Sequence, residues 1–286
     1  SINTPFLTRT VLGRYPMKTK IKYSAIIFAC FLIVLVFNFS GARGEEQRQT
    51  ISTAQRALDM LEVQNTMSKH SYLSVFDHAR ELKEIWVRED GEFAKTAHWT
   101  NPQGIQEGID LIKKNYVTDY MERQKKLLEE INKLYPEIKV SPENYGIGSW
   151  GFNDPTNPVI EIAGDGKTAK GIWNSNGPSL STSVVDGKLS VHGTWFWRTY
   201  AVDFVKEDGK WKIWHMNIVY DISSPLDAEY GMDYTKYKAS TGGGSSYLTM
   251  NKPNPNPYQP WSPLRIPQNQ PRIPEPYYTF SETFSY

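Results

Sequence analysis

The stretch from Pro158 to Asp221 constrains this chain most, because β-branched and aromatic runs alternate there with short Asp-Gly turns. Ala201 to Val205 and Trp211 to Tyr220 flank Lys206-Glu207-Asp208-Gly209-Lys210, and that Asp-Gly pair supplies the positive φ a tight hairpin needs. The device recurs at Gly164-Asp165-Gly166-Lys167, between Val159 to Ala163 and Thr168 to Trp173. It recurs again at Asp186-Gly187, between Ser181 to Val185 and Leu189 to His192. The pattern predicts about five or six strands in one strongly bent antiparallel meander.

With 286 residues the chain has room for one domain plus extensions, and its core can be sizeable. The formal net charge is +1, so no overall field favours nucleic acid, and a nucleic-acid partner is not expected. Lys18, Lys20 and Lys22 precede an apolar run from Ser24 to Phe37, followed by Ser40-Gly41-Ala42. That order reads as an export signal within residues 1–44, giving a periplasmic or extracellular protein. If uncleaved, residues 24–37 would instead anchor it to a membrane. The sole cysteine, Cys30, lies inside the apolar run, so a cleaved protein would have neither disulfides nor thiolate ligands.

Residues 45 to 90 read as helix, with a stripe through Leu58, Leu61, Asn65, Ser68, Tyr72, Val75, Ala79, Leu82 and Trp86. Its polar middle suits a helix closing a cavity, or a helix that breaks and turns those residues to water. Gly104 to Tyr135 reads as further helix, stopped by Pro136, with a charged outer face. A domain over 45–240 is followed by a tail, 241–286, that holds half of the chain's 18 prolines together with many aromatics. Such a tail is extended, and its apolar content predicts that it wraps its own domain or a neighbouring subunit.

The order helix, helix, bent meander resembles the SnoaL-like branch of the nuclear transport factor 2-like superfamily. The pieces that carry the likeness are I-E-I-A-G-D-G-K-T-A-K-G-I-W at 160–173 and G-K-W-K-I-W-H at 209–215. The resemblance implies an α+β cone-shaped barrel, helices packed on the bent sheet around one apolar pocket, and a homodimer or homotrimer. Members include cofactor-free dehydratases, isomerases and lyases, and proteins that only bind, so fold leaves function open.

No metal, nucleotide or nucleophile signature is present: the five histidines form no H-x-x-x-H pair, and Gly164 to Lys167 is a turn rather than a phosphate loop. Neither cofactor nor metal is expected, and chemistry would be general acid and base catalysis. The resemblance puts Tyr72 and Asp77 first, as phenol and proton carrier, with His215 on the last strand as base. The competing reading of Asp77 is an exposed ion pair. Alternation places Trp211, His215, Asn217 and Asp221 on one strand face, and the W-x-I-x-H ending of family strands turns that face inward; the alternative buries Trp214, Met216 and Ile218 and leaves His215 to water. The preceding strand offers Trp197 on one side and Arg198 and Tyr200 on the other, for substrate or for an interface. Asn65, His98 and His192 complete the expected substrate contacts, while His70 and His78 read as surface histidines.

The expected guest is a small hydrophobic or aromatic, hydroxylated ligand, given nine tryptophans and 17 tyrosines. Two functions follow: an exported cofactor-independent dehydratase, isomerase or other lyase, or a binding or assembly module with the same pocket and no chemistry.

Overall fold

The computed structural model describes residues 48–226, 248–255, 261–266 and 271–286. The expected export segment, residues 24–37 included, lies outside them. The chain divides into two compact units, 1–49 and 50–286, and the fold below is that of the second.

Ser52 opens helix α1, Thr53–Leu73, by accepting the Gln55 amide on its hydroxyl, and Asp77 caps α2, His78–Ile85, in the same way through the Arg80 amide. The helical stretch expected over 45–90 is thus two helices with a break at Ser74 to Asp77. Two short strands follow, β1 at His98–Asn101 and β2 at Gly104–Glu107. Gly104 to Glu107 was expected to start a helix. It is instead strand, and helix begins only at α3, Ile109–Lys113, continuing through a π-helical turn, Lys114–Thr118, into α4, Asp119–Leu134. Pro136 stops it as anticipated.

The remaining strands are β3 (Ser149–Gly151), β4 (Pro155–Ile162), β5 (Thr168–Val185), β6 (Lys188–Glu207) and β7 (Lys210–Pro225). They join in a seven-stranded sheet of order β2-β1-β7-β6-β5-β3, with β4 also pairing β5. The expected short strands fuse: β5 and β6 run unbroken for 18 and 20 residues and pair along their whole length. Asp186-Gly187 and Asp208-Gly209 have positive φ at both residues, the two-residue hairpin geometry that the Asp-Gly pairs predict. β1 joins β7 in parallel, so the sheet is mixed, and it is not closed into a barrel. The whole is a cone-like α+β fold with the helices on one face of the bent sheet.

Two bulges decide which side chains face the helices. Along β6, Tyr200, Val202 and Phe204 lie in the core and the alternation read from sequence holds. On β7, Ile213 pairs Phe204 while His215 pairs Asp203, which leaves Trp214 as an extra residue. Past it the phase flips: Trp211 and Ile213 face the core, and then Met216 and Ile218 do. His215 and Asn217 therefore do not share the face of Trp211 and Ile213. A second bulge, at Trp197/Arg198, makes Asp221 the extra residue of β7 in the same manner.

The helix stripe is also displaced. The buried positions of α1 are Asp59, Val63, Thr66, Met67, His70 and Leu73, whereas Leu58, Leu61 and Tyr72 face outward. Polar residues on the inner face find partners there, and that hides the stripe from an apolar pattern. Asp59 Oδ1 accepts Trp211 Nε1 at 3.0 Å and Lys206 Nζ at 2.5 Å.

The described parts of the tail lie along this domain. Gly164 and Asp165 donate their amides to Tyr277 and Tyr278 carbonyls, Ile105 to Lys252, and Trp261 to Asp221. The backbone of β5 leaves no room beside the buried Trp173, since a Cβ on Gly171 would collide with that indole. Gly171→Ala is expected to destabilise the domain by about 1–3 kcal/mol, through overpacking. Urea unfolding followed by tryptophan fluorescence measures it, and an unchanged midpoint would refute the tight packing.

Candidate functional site

Inside the cone, α1, α2 and the π-helical turn bring a polar cluster against the inner face of β6. Glu81 of α2 is fully buried, and every hydrogen-bond contact on its carboxylate comes from a donor. His70 Nδ1–H donates to Oε1 at 2.7 Å, Trp86 Nε1–H to the same oxygen at 3.4 Å, and the Tyr116 hydroxyl to Oε2 at 2.5 Å. The carboxylate fixes the His70 tautomer, which leaves the Nε2 lone pair as an acceptor. That Nε2 is buried and has no hydrogen-bond partner among the described residues.

The rings around the pair complete a proton-handling geometry. Tyr200 meets the His70 ring edge-on, with centroids 5.2 Å apart. Its hydroxyl donates to Asn153 Oδ1 at 3.2 Å, and Asn153 in turn donates to Ser74 Oγ at 2.7 Å. Burial pushes the Tyr200 phenol up to about 12, so it remains a donor at neutral pH. Burial, and after it the Glu81 carboxylate, also raise Tyr116 well above the ordinary phenol range. His78 stacks on Tyr116 at 4.0 Å and bonds the Tyr116 and Ser74 carbonyls, tying the start of α2 to the helices around it. Both His70 and His78 were read as surface histidines and both are buried. His70 lies within helical reach of Glu81 only because the chain breaks between α1 and α2.

The three residues expected to share the chemistry are not brought together. Tyr72 is 80% exposed at the end of α1. Its groove also holds Asn65 and, through its edge, Trp211, whose indole is committed to Asp59. Asp77 is the cap of α2, a structural use of its carboxylate. His215 lies on the opposite face of the sheet.

There it belongs to a row that crosses four strands. Lys170 of β5, Asp203 of β6, His215 of β7 and His98 of β1 sit side by side in register. Lys170 Nζ donates to Asp203 Oδ1 at 2.5 Å, His215 Nδ1–H donates to Oδ2 at 2.9 Å, and the His215 and His98 rings stack at 4.0 Å. The tail closes over the row: Ser285 Oγ and the Tyr286 amide both donate to Asp203 Oδ2, at 3.1 and 2.9 Å. Phe280, Phe284 and Tyr286 place their rings 4.4 to 4.9 Å from the Lys170 ammonium. Burial tends to raise Asp203, but the His215 hydrogen bond and the Lys170 charge outweigh it and the carboxyl is lowered. Burial lowers Lys170, against the pull of Asp203.

The other expected contacts scatter. Arg198 is buried, stacked by Phe196, and donates to the Phe152 carbonyl at 2.5 Å. Trp197 packs toward Trp195 next to the bulge. His192 is exposed on the outer half of β6, near Ser183 and Ser190. Asn217 and His98 line a cavity under the tail. Tyr200 is the one expected contact that reaches the Glu81 cluster. The signals that could have found the cluster are the i, i+4 step from Thr66 to His70 on the inner side of α1 and the Glu81 position within α2's apolar face.

Residues 155–217 match the family described as SnoaL-like domain. Over that stretch the chain is similar to SnoaL-like domains, which accords with its cone-like α+β fold. No curated protein matches the chain. Among solved structures it is similar to a type 2 hexachlorocyclohexane dehydrochlorinase, with 18% identity, 63% of this chain and 100% of that one covered, and a TM-score of 0.40. It is also similar to a putative scytalone dehydratase from Novosphingobium aromaticivorans, with 14% identity, 64% and 99% coverage, and a TM-score of 0.39. A nuclear transport factor 2-like protein from Salmonella enterica serovar Typhimurium gives 13%, 62% and 99%, with a TM-score of 0.37.

A pH dependence of stability follows from His98. Burial, and then the stacked His215 ring, push its imidazole down from 6.5 to about 3. Between those values the unfolded chain holds the extra proton, so stability is complete above pH 6.5 and falls as the solution is acidified. His98→Asn should flatten the decline of Tm between pH 6.5 and pH 4, and equal slopes in the two proteins would show that His98 is not the proton acceptor.

Proposed function

We propose that this protein is a cofactor-independent lyase of the dehydratase type, or an isomerase, that works by acid and base catalysis inside the cone. The observation that carries the reading is the His70 and Glu81 pair, with a carboxylate on Nδ1 and a buried, unpartnered Nε2. A histidine held this way is a base with a chosen tautomer, and the carboxylate stabilises the imidazolium formed when it takes a proton. Tyr200 supplies a phenol that stays protonated and, on exchanging its bond to Asn153 Oδ1, can donate to an oxyanion.

The substrate class of this reading is a hydroxylated small molecule with an aromatic or fused ring, matched to the aromatic side chains Tyr116, Trp86 and Tyr200 packed around the pair. For a β-hydroxy ketone, His70 Nε2 takes the proton from the carbon next to the carbonyl and the pair left behind forms an enolate under the Tyr200 hydroxyl. The new double bond then expels the β-hydroxyl, which leaves as water with the proton returned by His70. The reading also retains export through the segment before the domain and assembly into a homodimer or homotrimer. The second reading, a binding or assembly module, is favoured by one feature: the other histidine and carboxylate pair is filled by Ser285 of the chain itself.

The test is dehydration of 3-hydroxy-1-tetralone to 1-naphthol, followed by absorbance, with deuterium exchange at C2 of 1-tetralone as an independent readout of proton abstraction. His70→Gln should lower kcat by about 10²–10⁴ with little change in KM. Tyr200→Phe should lower it less. Wild-type turnover by His70→Gln, or neither dehydration nor exchange by the unaltered chain, would move the assignment to the binding module.

A further inference from the structure

The opposite face of the sheet carries a second concavity, unrelated to the Glu81 cluster, with a volume of about 470 Å³. Its floor is formed by His98 and Thr100 of β1 and Asn217 of β7, which sit side by side because β1 pairs β7 in parallel. Its roof is tail: Arg272, Phe284 and Tyr286 line it, and the Tyr286 hydroxyl fastens the roof by donating to the Arg272 carbonyl at 2.7 Å. Thr100 is only 3% exposed, and its hydroxyl is buried without a hydrogen-bond partner among the described residues. An unpaired buried hydroxyl on a residue that lines a cavity costs free energy unless a partner reaches it.

The polar groups define what that occupant is. The Thr100 hydroxyl and the Asn217 carboxamide each offer both a donor and an acceptor, and His98, kept neutral by burial and bonded through its N–H to the Tyr286 backbone, adds an acceptor nitrogen. An anion has only acceptors and would leave half of these groups unpaired, and a cation has only donors. Hydroxyl groups match them, being donor and acceptor at once. Arg272 adds donors, and its charge is already answered by Glu275 at 3.3 Å while its guanidinium stacks on Phe284 at 5.0 Å. Phe284 adds an aromatic face for C–H groups. We propose that this tail-roofed cavity is a binding site for a neutral, hydroxyl-rich molecule about the size of one sugar ring.

The site is built across the tail and the sheet, so the ligand would tie the two together. The experiment is calorimetry and saturation-transfer NMR on the full chain with glucose, N-acetylglucosamine and myo-inositol, and with benzoate and phosphate as anionic comparators. At least one of the polyols should bind with one-to-one stoichiometry. Thr100→Val, nearly isosteric, should weaken it about tenfold, the equivalent of one lost hydrogen bond. Arg272→Gln, at an exposed position where folding is not at risk, should weaken it as well, and His70→Gln should leave it unchanged. Binding of the anions but not the polyols, binding of none of the probes up to their solubility, or equal affinity in Thr100→Val and the unaltered chain would each overturn the proposal.

Discussion

One extra residue in β7 governs how this domain uses its two faces. Trp214 has no counterpart on β6 between the pairs Phe204 with Ile213 and Asp203 with His215. Side chains alternate with a period of two along a strand, so a single insertion exchanges the faces of everything beyond it. Before the bulge, Trp211 and Ile213 fill the core beneath α1. Beyond it, Met216 and Ile218 fill the core and His215 and Asn217 emerge on the far side. Were Trp214 to take a regular place in the ladder, the helix side would have to bury His215 and Asn217, and Met216 and Ile218 would lie under the tail.

The consequence is a molecule with a histidine and carboxylate pair on each side of its sheet. The two pairs have similar bond lengths, 2.7 and 2.9 Å, but different surroundings. His70 keeps an unpartnered nitrogen among aromatic rings, while the hydroxyl of Ser285 lies 2.9 Å from His215 Nδ1 and the Asp203 carboxylate is saturated by donors. Basicity that is already hydrogen-bonded within the protein performs structure, and basicity left unpaired in a dry site is available to a substrate. This difference is what the proposed function rests on when it takes the inner pair as the reacting one.

The sequence made the sheet legible and the site nearly illegible, for the same physical reason. Asp186-Gly187 and Asp208-Gly209 declare their hairpins because few residues other than glycine, asparagine and aspartate tolerate positive φ, a purely local constraint. The cone-like fold follows from those turns and from the runs between them. A bulge has no such signature: nothing in Ile213-Trp214-His215 marks Trp214 as surplus, since the count is set by the partner strand. The inner stripe of α1 was hidden because Asp59, Thr66 and His70 are polar, and polar residues betray burial only through partners far away in sequence, Trp211 for Asp59 and Glu81 for His70. The parallel pairing that brings His98 beside His215 is likewise a tertiary fact.

The aromatic character of the tail finds its explanation in the charged row. Lys170 and Asp203 are both fully buried, and removing an ammonium and a carboxylate from water costs several kcal/mol per ion unless other interactions replace the solvent. Asp203 recovers its hydration from four donors, supplied by Lys170, His215, Ser285 and the Tyr286 amide. Lys170 has a single ion partner, and three rings of the tail stand where water would otherwise be. Their π faces return part of the lost electrostatic stabilisation, while their edges bury apolar surface against the sheet. A tail of aliphatic residues would dry the row equally well and leave the ammonium poorly compensated. A polar tail would compensate the charges without closing over them. The spacing Phe280, Phe284, Tyr286 with Ser285 between the last two satisfies both requirements, which ties the composition of the tail to the sheet face that the bulge created.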